Sequence, residues 1–209
     1  MPVECTIELF KRQLANLNGS GRKLVAIAGP PGSGKSTLAE ELSDCFNREQ
    51  SGVCQIIPMD GWHYDNAVLA QLGLESRKGS PDSFDVRGMI NLLKRLKQNQ
   101  SDIAVPVFDR DLDVSRGSAR LILQKTDILL VEGNYLLLDQ TGWRDMRQLF
   151  DLTFMLKVPI EVLRQRLMAR WAQLPAGEAQ QKVAANDLPN ARLVAETSLP
   201  ADLTVPYRL

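Results

Sequence analysis

Residues 29–36, Gly-Pro-Pro-Gly-Ser-Gly-Lys-Ser, have the composition and spacing of a loop that binds phosphate groups. Glycines let successive backbone N–H groups point at phosphate oxygens, and the start of a following helix adds the positive end of its dipole. Lys35 is expected to reach the β- and γ-phosphates of a nucleotide, and the Ser36 hydroxyl to ligate Mg²⁺. The predicted phosphate site comprises Gly29, Pro30, Pro31, Gly32, Ser33, Gly34, Lys35, Ser36 and Thr37.

Glu132 is a candidate for a second group that handles the metal. It follows four apolar residues at 128–131. A phosphate-binding loop of this kind works with a carboxylate at the end of a neighbouring strand, which holds the metal directly or through water. An acidic residue at a strand end is common by itself, so the assignment depends on its pairing with the loop. We predict that Ser36 and Glu132 handle the metal.

Asp60 is the candidate catalytic base. It follows the apolar segment 53–58, and the C-terminal ends of parallel strands meet at one edge of a sheet, so Asp60 is expected beside the phosphate loop. A hydroxyl acceptor needs a group that takes or orients its proton, whereas a phosphate acceptor arrives ionised and needs arginines. Asp60 therefore favours phosphoryl transfer to a hydroxyl. The alternative is that it only caps a local turn with Gly61.

His63, the chain's one histidine, lies with Asp60 and Asp65 in the stretch PMDGWHYDN. The three side chains suggest a metal cluster, but only Asp60 is placed at a strand end. We interpret His63 as a residue that shapes or contacts the acceptor pocket, with simple packing as the alternative, and Asp65 as the cap of a short helix. Tyr135 is a candidate for stacking on a substrate or for packing.

The elements that must position these groups alternate between strands and helices. Continuous apolar runs rich in Val and Ile predict buried parallel strands, and residues spaced by three and four predict helices. The predicted strands are 23–29, 53–58, 104–108, 119–123, 127–133, 151–158 and 201–205, and the predicted helices are 3–17, 35–49, 66–72, 85–99, 159–171 and 176–185. Asp85 is placed to cap a helix. This alternation predicts an α/β fold with a mainly parallel sheet.

Composition restricts the remaining possibilities. The 209 residues suit one compact domain, 1–209. Charges balance at 25 basic and 25 acidic residues, which argues against a nucleic-acid partner. Cys5, Cys45 and Cys54 lack metal-ligand spacing and are interpreted as reduced thiols. No run approaches the ~20 apolar residues of a membrane span, and the N-terminus lacks a signal-peptide pattern, so we expect a cytoplasmic protein without a membrane partner.

Motif absences narrow the functional class further. The chain contains neither the N-K-x-D guanine motif nor the L-S-G-G-Q transporter signature. With Asp60, the pattern favours a kinase that acts on a small-molecule hydroxyl. The alternatives are a regulatory P-loop ATPase and a nucleotide-binding protein without phosphotransfer.

Five stretches, in order, carry a resemblance to a known family: GPPGSGKST, PMDGWH, RKGSPDSFD, VPVFDR and LLVEGNYLLLD. Over residues 24–195 the chain resembles the P-loop kinases that include uridine kinase, phosphoribulokinase and bacterial pantothenate kinase. It is most similar to short bacterial members labelled nucleoside-kinase-like or fructose-transport-system kinases. The resemblance implies a three-layer P-loop fold with a helical lid near 159–190, the cofactors ATP and Mg²⁺, and a sugar, nucleoside or pantothenate-like alcohol as acceptor. It is compatible with a homodimer.

The resemblance also implies roles for individual residues. Asp60 matches the family's catalytic aspartate, Lys35 its phosphate lysine, and Glu132 its metal-handling acid. Arg166 and Arg170 lie four residues apart, on one face of the predicted lid helix, where family members neutralise the transferred phosphoryl group; the alternative is solvated arginines paired with acids such as Glu161. From their residue types and positions we also predict acceptor contacts at His63, Arg77, Lys78, Asp109, Arg110 and Tyr135, with Arg77, Lys78 and Arg110 as partners for a polar or anionic group.

One further segment, residues 185–194, is expected to end in an apolar turn. Asn186, Asp187 and Asn190 are placed there to border either the adenine or the acceptor pocket, with helix capping as the alternative for Asp187.

Overall fold

The computed structural model describes residues 3–17 and 21–207, with side chains from residue 8 onward except Ala176. Its helices are α1 (Val3–Ala15), α2 (Lys35–Glu49), α3 (Asn66–Leu72), α4 (Val86–Gln98), α5 (Ile160–Arg170), α6 (Ala176–Lys182) and α7 (Leu188–Thr197). Its strands are β1 (Lys23–Ala28), β2 (Cys54–Pro58), β3 (Ile103–Asp109), β4 (Val114–Ile122), β5 (Ile128–Gly133), β6 (Leu152–Lys157) and β7 (Leu203–Pro206). The Cys5 side chain lies outside the described set, and Cys45 and Cys54 are free thiols.

Within the described residues, five strands form a parallel sheet in the order β2-β5-β1-β6-β7. The inner strands β1 and β5 are almost wholly buried, as their continuous apolar sequences predict for strands covered on both faces. One apolar core lies on each face of the sheet. On one face the Phe10 ring of α1 stacks on Phe154 of β6 with centroids 4.4 Å apart. The predicted three-layer α/β architecture is confirmed.

Two predicted helix caps are confirmed by hydrogen bonds. The Asp65 carboxylate accepts from the Ala67 amide at 2.9 Å at the start of α3, and Asp85 accepts from the Gly88 amide at 2.8 Å at the start of α4. Each bond satisfies a backbone donor that has no partner in the first helical turn. These caps therefore fix the starts of α3 and α4, the two helices that follow the segments near Asp60.

Strands β3 and β4 form an antiparallel hairpin apart from the parallel sheet. The prediction for β4 was wrong at its start, because the strand begins at Val114 and not at 119. Its exposed face carries Arg116 and Ser118, so the sequence shows no apolar run by which the longer strand can be recognised. The hairpin packs on the turn Met59–Trp62, which carries Asp60.

The predicted turn after Asn190 is wrong, because residues 188–197 form helix α7. Pro189 lies in its first turn, where a proline is compatible with a helix since the missing N–H has no intrahelical partner there. A π-helical turn, Val183–Asp187, joins α6 to α7. None of the helices in residues 3–17 and 21–207 combines the length and the apolar character needed to cross a bilayer.

Candidate active site

The ends of three strands bring the predicted site together. In the register of the sheet, Ala28 of β1 pairs with Gly133 of β5, and Pro58 of β2 pairs with Glu132. The phosphate loop follows β1, the turn with Asp60 follows β2, and Glu132 is the second-last residue of β5. These groups therefore share the C-terminal edge of the sheet, as expected for an open parallel sheet.

The phosphate loop adopts a backbone that requires glycine. Gly32 and Gly34 have φ values of 78° and 94°, in the left-handed region that side chains disfavour. Helix α2 begins immediately afterwards at Lys35, so its unpaired N-terminal amides face the loop. The arrangement has the donors that a polyphosphate requires.

Lys35 is buried at the centre of the site. Its ammonium donates to the Pro30 carbonyl at 3.0 Å and to Asn134 Oδ1 at 2.8 Å. Burial lowers the Lys35 pKa to about 8, and the nearby carboxylates Glu132 and Asp60 counteract part of that effect. Asn134 was missed by sequence reasoning; its one available signal is its position two residues after Glu132, just beyond the end of β5.

Glu132 and Ser36 have the chemistry of a Mg²⁺ site. Glu132 is 7% exposed; burial raises its pKa, while Lys35 and a hydrogen bond with the Ser36 hydroxyl oppose that shift. Hydroxyl and carboxylate oxygens are ligands that Mg²⁺ accepts, and this ion usually takes few protein ligands and completes its shell with phosphate and water. The described residues contain no cluster of three or more acidic, His or Cys side chains that could hold a metal ion.

Asp60 lies where the sheet edge meets the hairpin. Its Oδ2 accepts from Arg110 Nη2 at 3.2 Å, and the side chains are 30% and 66% exposed respectively. Arg110 comes from the turn between β3 and β4, so the hairpin delivers a cation directly to the candidate base. The carboxylate is thus accessible and held by one exposed ion pair.

His63 packs between two aromatic rings. Its ring centroid lies 4.0 Å from that of Phe84 and 4.8 Å from that of Phe108, and Nδ1 lies 2.9 Å from the Asp60 carbonyl oxygen. Burial lowers the His63 pKa, which favours the neutral imidazole. The residue therefore supports the backbone of the Asp60 turn, in line with the packing alternative.

Lys78 and Asp109, both candidate acceptor contacts, already have several polar partners. The Lys78 ammonium donates to Asn66 Oδ1 at 2.7 Å and to the Asp113 carbonyl and carboxylate at 2.7 and 2.8 Å. Asp109 accepts from two amides of the hairpin turn and pairs with Arg116 at 3.3 Å. Both side chains hold the hairpin in place, so their predicted contact with the acceptor is not apparent from this geometry.

Arg77 and Tyr135 differ sharply in exposure. Arg77 is exposed, and it donates to the Ala185 carbonyl at 3.4 Å. Tyr135 is 0% exposed, with its ring among Phe84 and Trp143, and its hydroxyl donates to the Gly79 carbonyl at 2.6 Å. No ring surface of Tyr135 is open for stacking, so its predicted substrate contact is corrected to a packing position behind residue 79.

The two candidate lid arginines lie against the phosphate loop. Arg166 Nη1 donates to the Gly32 and Ser33 carbonyls at 3.2 and 3.3 Å, and the Arg170 charge lowers the Lys35 pKa. Glu161 pairs instead with Arg164. A cavity of about 540 Å³ opens between the loop and α5; its lining includes Thr37, Glu41, Arg166, Arg170 and Tyr207.

The asparagines of segment 185–194 lie beside the segment that contains Lys78. Asn186 Nδ2 donates to the Lys78 carbonyl at 2.8 Å, and Asn190 Nδ2 lies 3.4 Å from the Gly79 carbonyl oxygen. Asp187 accepts from Trp171 Nε1 at 2.8 Å and makes no side-chain cap bond to α7. The two asparagines thus contact the backbone of residues 78 and 79, and whether they border the acceptor or the adenine stays a prediction.

A family described as "Phosphoribulokinase / Uridine kinase family" matches residues 24–173, which is more than half of the chain. The chain belongs to this family.

Relatives and a solved structure give the same classification. A Schizosaccharomyces pombe protein named "Putative uridine kinase" is 31% identical, with 95% of this chain and 88% of that protein covered. A pantothenate kinase of Myxococcus xanthus is 34% identical, and the match covers 71% of this chain and 48% of that protein. A crystal structure from Silicibacter sp. TM1040, named "putative fructose transport system kinase", superposes with a TM-score of 0.91 at 38% identity, covering 99% and 100% of the two chains.

Membership of the phosphoribulokinase/uridine kinase family sets the class of activity. The chain is a P-loop kinase that binds ATP and transfers a phosphoryl group to an alcohol group of a small molecule. The matches do not favour the alternative of a regulatory ATPase. The predicted family and enzyme class are confirmed, whereas the roles of individual residues stay predictions.

Proposed function

We propose that this kinase transfers the γ-phosphoryl group of ATP to a hydroxyl of a small polar metabolite, a sugar, a nucleoside or a pantothenate-like alcohol, with Asp60 as the base. The observation that carries the proposal is the position of the Asp60 carboxylate, accessible at the sheet edge that also holds Lys35 and Glu132. A hydroxyl bound there places its proton within reach of a carboxylate, as an alcohol nucleophile requires.

The remaining groups provide binding and charge stabilisation. The phosphate loop amides and Lys35 hold the β- and γ-phosphates, and Arg166 and Arg170 on the proposed lid stabilise negative charge on the transferred group. Ser36 and Glu132 would hold Mg²⁺, which would supply positive charge to offset the negative charge of the phosphates. In this proposal the acceptor oxygen gives its proton to Asp60 as it bonds to the γ-phosphorus, and ADP leaves.

Arg110 is the cation best placed to choose the acceptor. Its guanidinium is 66% exposed and, within the described residues, forms its ion pair with Asp60, so a polar or anionic group of an acceptor can add a second partner. Lys78, by contrast, has three close acceptors within the protein. The acceptor class therefore depends more on Arg110 than on Lys78.

The decisive experiment has two parts. ATP consumption is measured against a panel of sugars, nucleosides and vitamin precursors, and the best acceptor is then tested with Asp60→Asn. Turnover should fall by at least ~10² while ATP affinity stays near that of the wild type. Asp65→Asn is the matched control, because Asn caps a helix about as well as Asp and Asp65 lies on the cap of α3.

Unchanged turnover in Asp60→Asn would exclude Asp60 as the base. ATP binding without consumption for every member of the panel would instead support the regulatory alternative.

A further inference from the structure

The segment of residues 75–83, which we call the acceptor loop, leads into residues 83–85, and these are hydrogen-bonded to the backbone next to Asp60. The Tyr64 amide donates to the Ser83 carbonyl at 2.9 Å, and the Asp85 amide donates to the Trp62 carbonyl at 2.9 Å. His63 and Phe84 form an antiparallel bridge between these two segments. A displacement of the acceptor loop therefore transmits to the turn that carries the proposed base.

Three buried side chains, Tyr135, Asn186 and Asn190, hold the middle of this loop and are called the carbonyl clamp. Asn186 Nδ2 donates to the Lys78 carbonyl at 2.8 Å, and the Tyr135 hydroxyl donates to the Gly79 carbonyl at 2.6 Å. Asn190 Nδ2 lies 3.4 Å from the Gly79 carbonyl oxygen and 3.2 Å from Asn186 Oδ1. Exposures of 0%, 8% and 3% for Tyr135, Asn186 and Asn190 show that all three are withdrawn from water.

Burying amide and hydroxyl groups is costly unless they are hydrogen-bonded. The three members of the clamp come from two regions far apart in sequence and direct donors at two consecutive carbonyls. Burial also raises the Tyr135 pKa, so the phenol keeps the proton that it donates. Such convergence fixes one conformation of the loop, in which Gly79 has a φ of 95°.

The clamp also joins the acceptor loop to the helices beside the phosphate loop. Asn186 lies in the π-helical turn Val183–Asp187, and the adjacent Asp187 accepts from Trp171 Nε1 at 2.8 Å. Trp171 directly follows Arg170, whose positive charge lowers the Lys35 pKa. Two hydrogen bonds, Trp171–Asp187 and Asn186–Lys78, together with the backbone between Asp187 and Asn186, therefore connect the end of α5 to the acceptor loop.

We infer that Tyr135, Asn186 and Asn190 are positioning residues, which set the acceptor loop in register with the arginines of α5. The inference rests on the proposed function for the meaning of the acceptor side. When a nucleotide orders α5 over the phosphate loop, the clamp orders the acceptor loop with it, so that the acceptor binds to a prepared site.

Hydrogen–deuterium exchange tests the inference without a known acceptor. Wild type and Asn186→Ala are compared with and without a non-hydrolysable ATP analogue and MgCl₂, and deuterium uptake is followed in peptides over 29–42, 75–84 and 160–172. In the free protein, the variant should exchange faster over 75–84, on the order of 5-fold for one lost hydrogen bond. In the wild type the analogue should slow exchange in all three peptides; in the variant it should slow 29–42 and 160–172 only.

Asn47→Ala is the matched control. Asn47 also bonds backbone with its amide, accepting from the Cys54 amide at 3.0 Å and donating to the Cys54 carbonyl at 2.9 Å, but it joins α2 to β2. Its loss should leave the response of 75–84 to the analogue as in the wild type. Tyr135→Phe removes only the hydroxyl of the clamp and should also raise exchange over 75–84, which keeps the test open if Asn186→Ala fails to fold.

Two results would overturn the inference. One is an acceptor loop that responds to the analogue equally in Asn186→Ala and in the wild type. The other is a wild-type loop that shows no response while 29–42 and 160–172 do.

Once the panel has identified an acceptor, Asn186→Ala should raise the KM for that acceptor and leave the KM for ATP unchanged; equal increases would also count against the clamp. Failure of the panel itself would reject the proposed function and leave the exchange result standing.

Discussion

Replacing Gly61 by alanine should lower both turnover and stability, because the hairpin approaches this residue more closely than a side chain allows. A Cβ at residue 61 would lie 2.6 Å from the Pro106 carbonyl oxygen and 2.9 Å from its carbon. Both are backbone atoms, so no side-chain rotation can relieve the overlap. Pro106 lies at an irregularity of the β3–β4 ladder, where the hairpin comes down on the Asp60 turn.

The size of the effect follows from that distance. The turn and the hairpin must separate by about 0.8 Å to reach the 3.4 Å of an ordinary contact. Overpacking of this kind costs about 1–3 kcal/mol of unfolding free energy. The same displacement moves Asp60 against Arg110, and a misplacement of about 1 Å can reduce a rate by ~10². We expect Gly61→Ala to lower turnover by roughly 10- to 100-fold while the affinity for ATP stays near that of the wild type.

The assay pairs urea unfolding with ATP consumption in the presence of the acceptor found by the panel. Gly117→Ala is the control, because a Cβ at Gly117, on the same hairpin, meets no atom within 4 Å. It should leave turnover unchanged. Wild-type turnover in Gly61→Ala would refute the reasoning, since it would mean that the hairpin does not set the position of Asp60.

Three further outcomes are expected. His63 faces Asp60, Lys78 and Asp113, and burial lowers its pKa. The unfolded chain therefore takes up the proton first as the pH falls, so the unfolding free energy should decrease below about pH 6.5. Urea titrations of His63→Gln should show a smaller decrease. Lys78→Met should cost about 1–3 kcal/mol in urea unfolding, because three hydrogen bonds of a mostly buried ammonium are lost; an unchanged midpoint would contradict its role in holding the hairpin. Burial raises the Cys54 pKa to about 12, so mass spectrometry should find Cys54 alkylated at pH 8 only after unfolding.

Much of the fold follows from local sequence. The predicted strands 23–29, 127–133 and 151–158 correspond to β1, β5 and β6, whose residues are mostly buried as their apolar content predicts, and the caps at Asp65 and Asp85 precede clear helices. The phosphate loop and the ends of β2 and β5 could be brought together because parallel topology itself places strand ends at one edge.

The errors concern contacts between distant segments. Helix α7 carries a proline in its first turn and follows a π-helical turn, so its start has no simple periodic signal. The burial of Tyr135 depends on rings that approach it from other elements, and the role of Asn134 depends on how far Lys35 reaches across from α2. The acceptor contact of Lys78 stays a prediction, and no local sequence pattern shows that Asn66 and Asp113 also accept hydrogen bonds from its ammonium.

The separation of the β3–β4 hairpin from the parallel sheet has a consequence for how this enzyme can diverge. The end of the hairpin opposite its tip is joined to β2 by side-chain hydrogen bonds. Arg120 donates to the Ile56 carbonyl at 2.6 Å, and Gln55 bonds to the backbone of residues 121 and 123. The tip of the hairpin, residues 109–113, presents Arg110 to the Asp60 carboxylate and exposes Leu112. Insertions or substitutions at the tip leave every pairing of the parallel sheet intact. If Arg110 contacts the acceptor as proposed, a library of tip variants should change acceptor preference while ATP binding is retained.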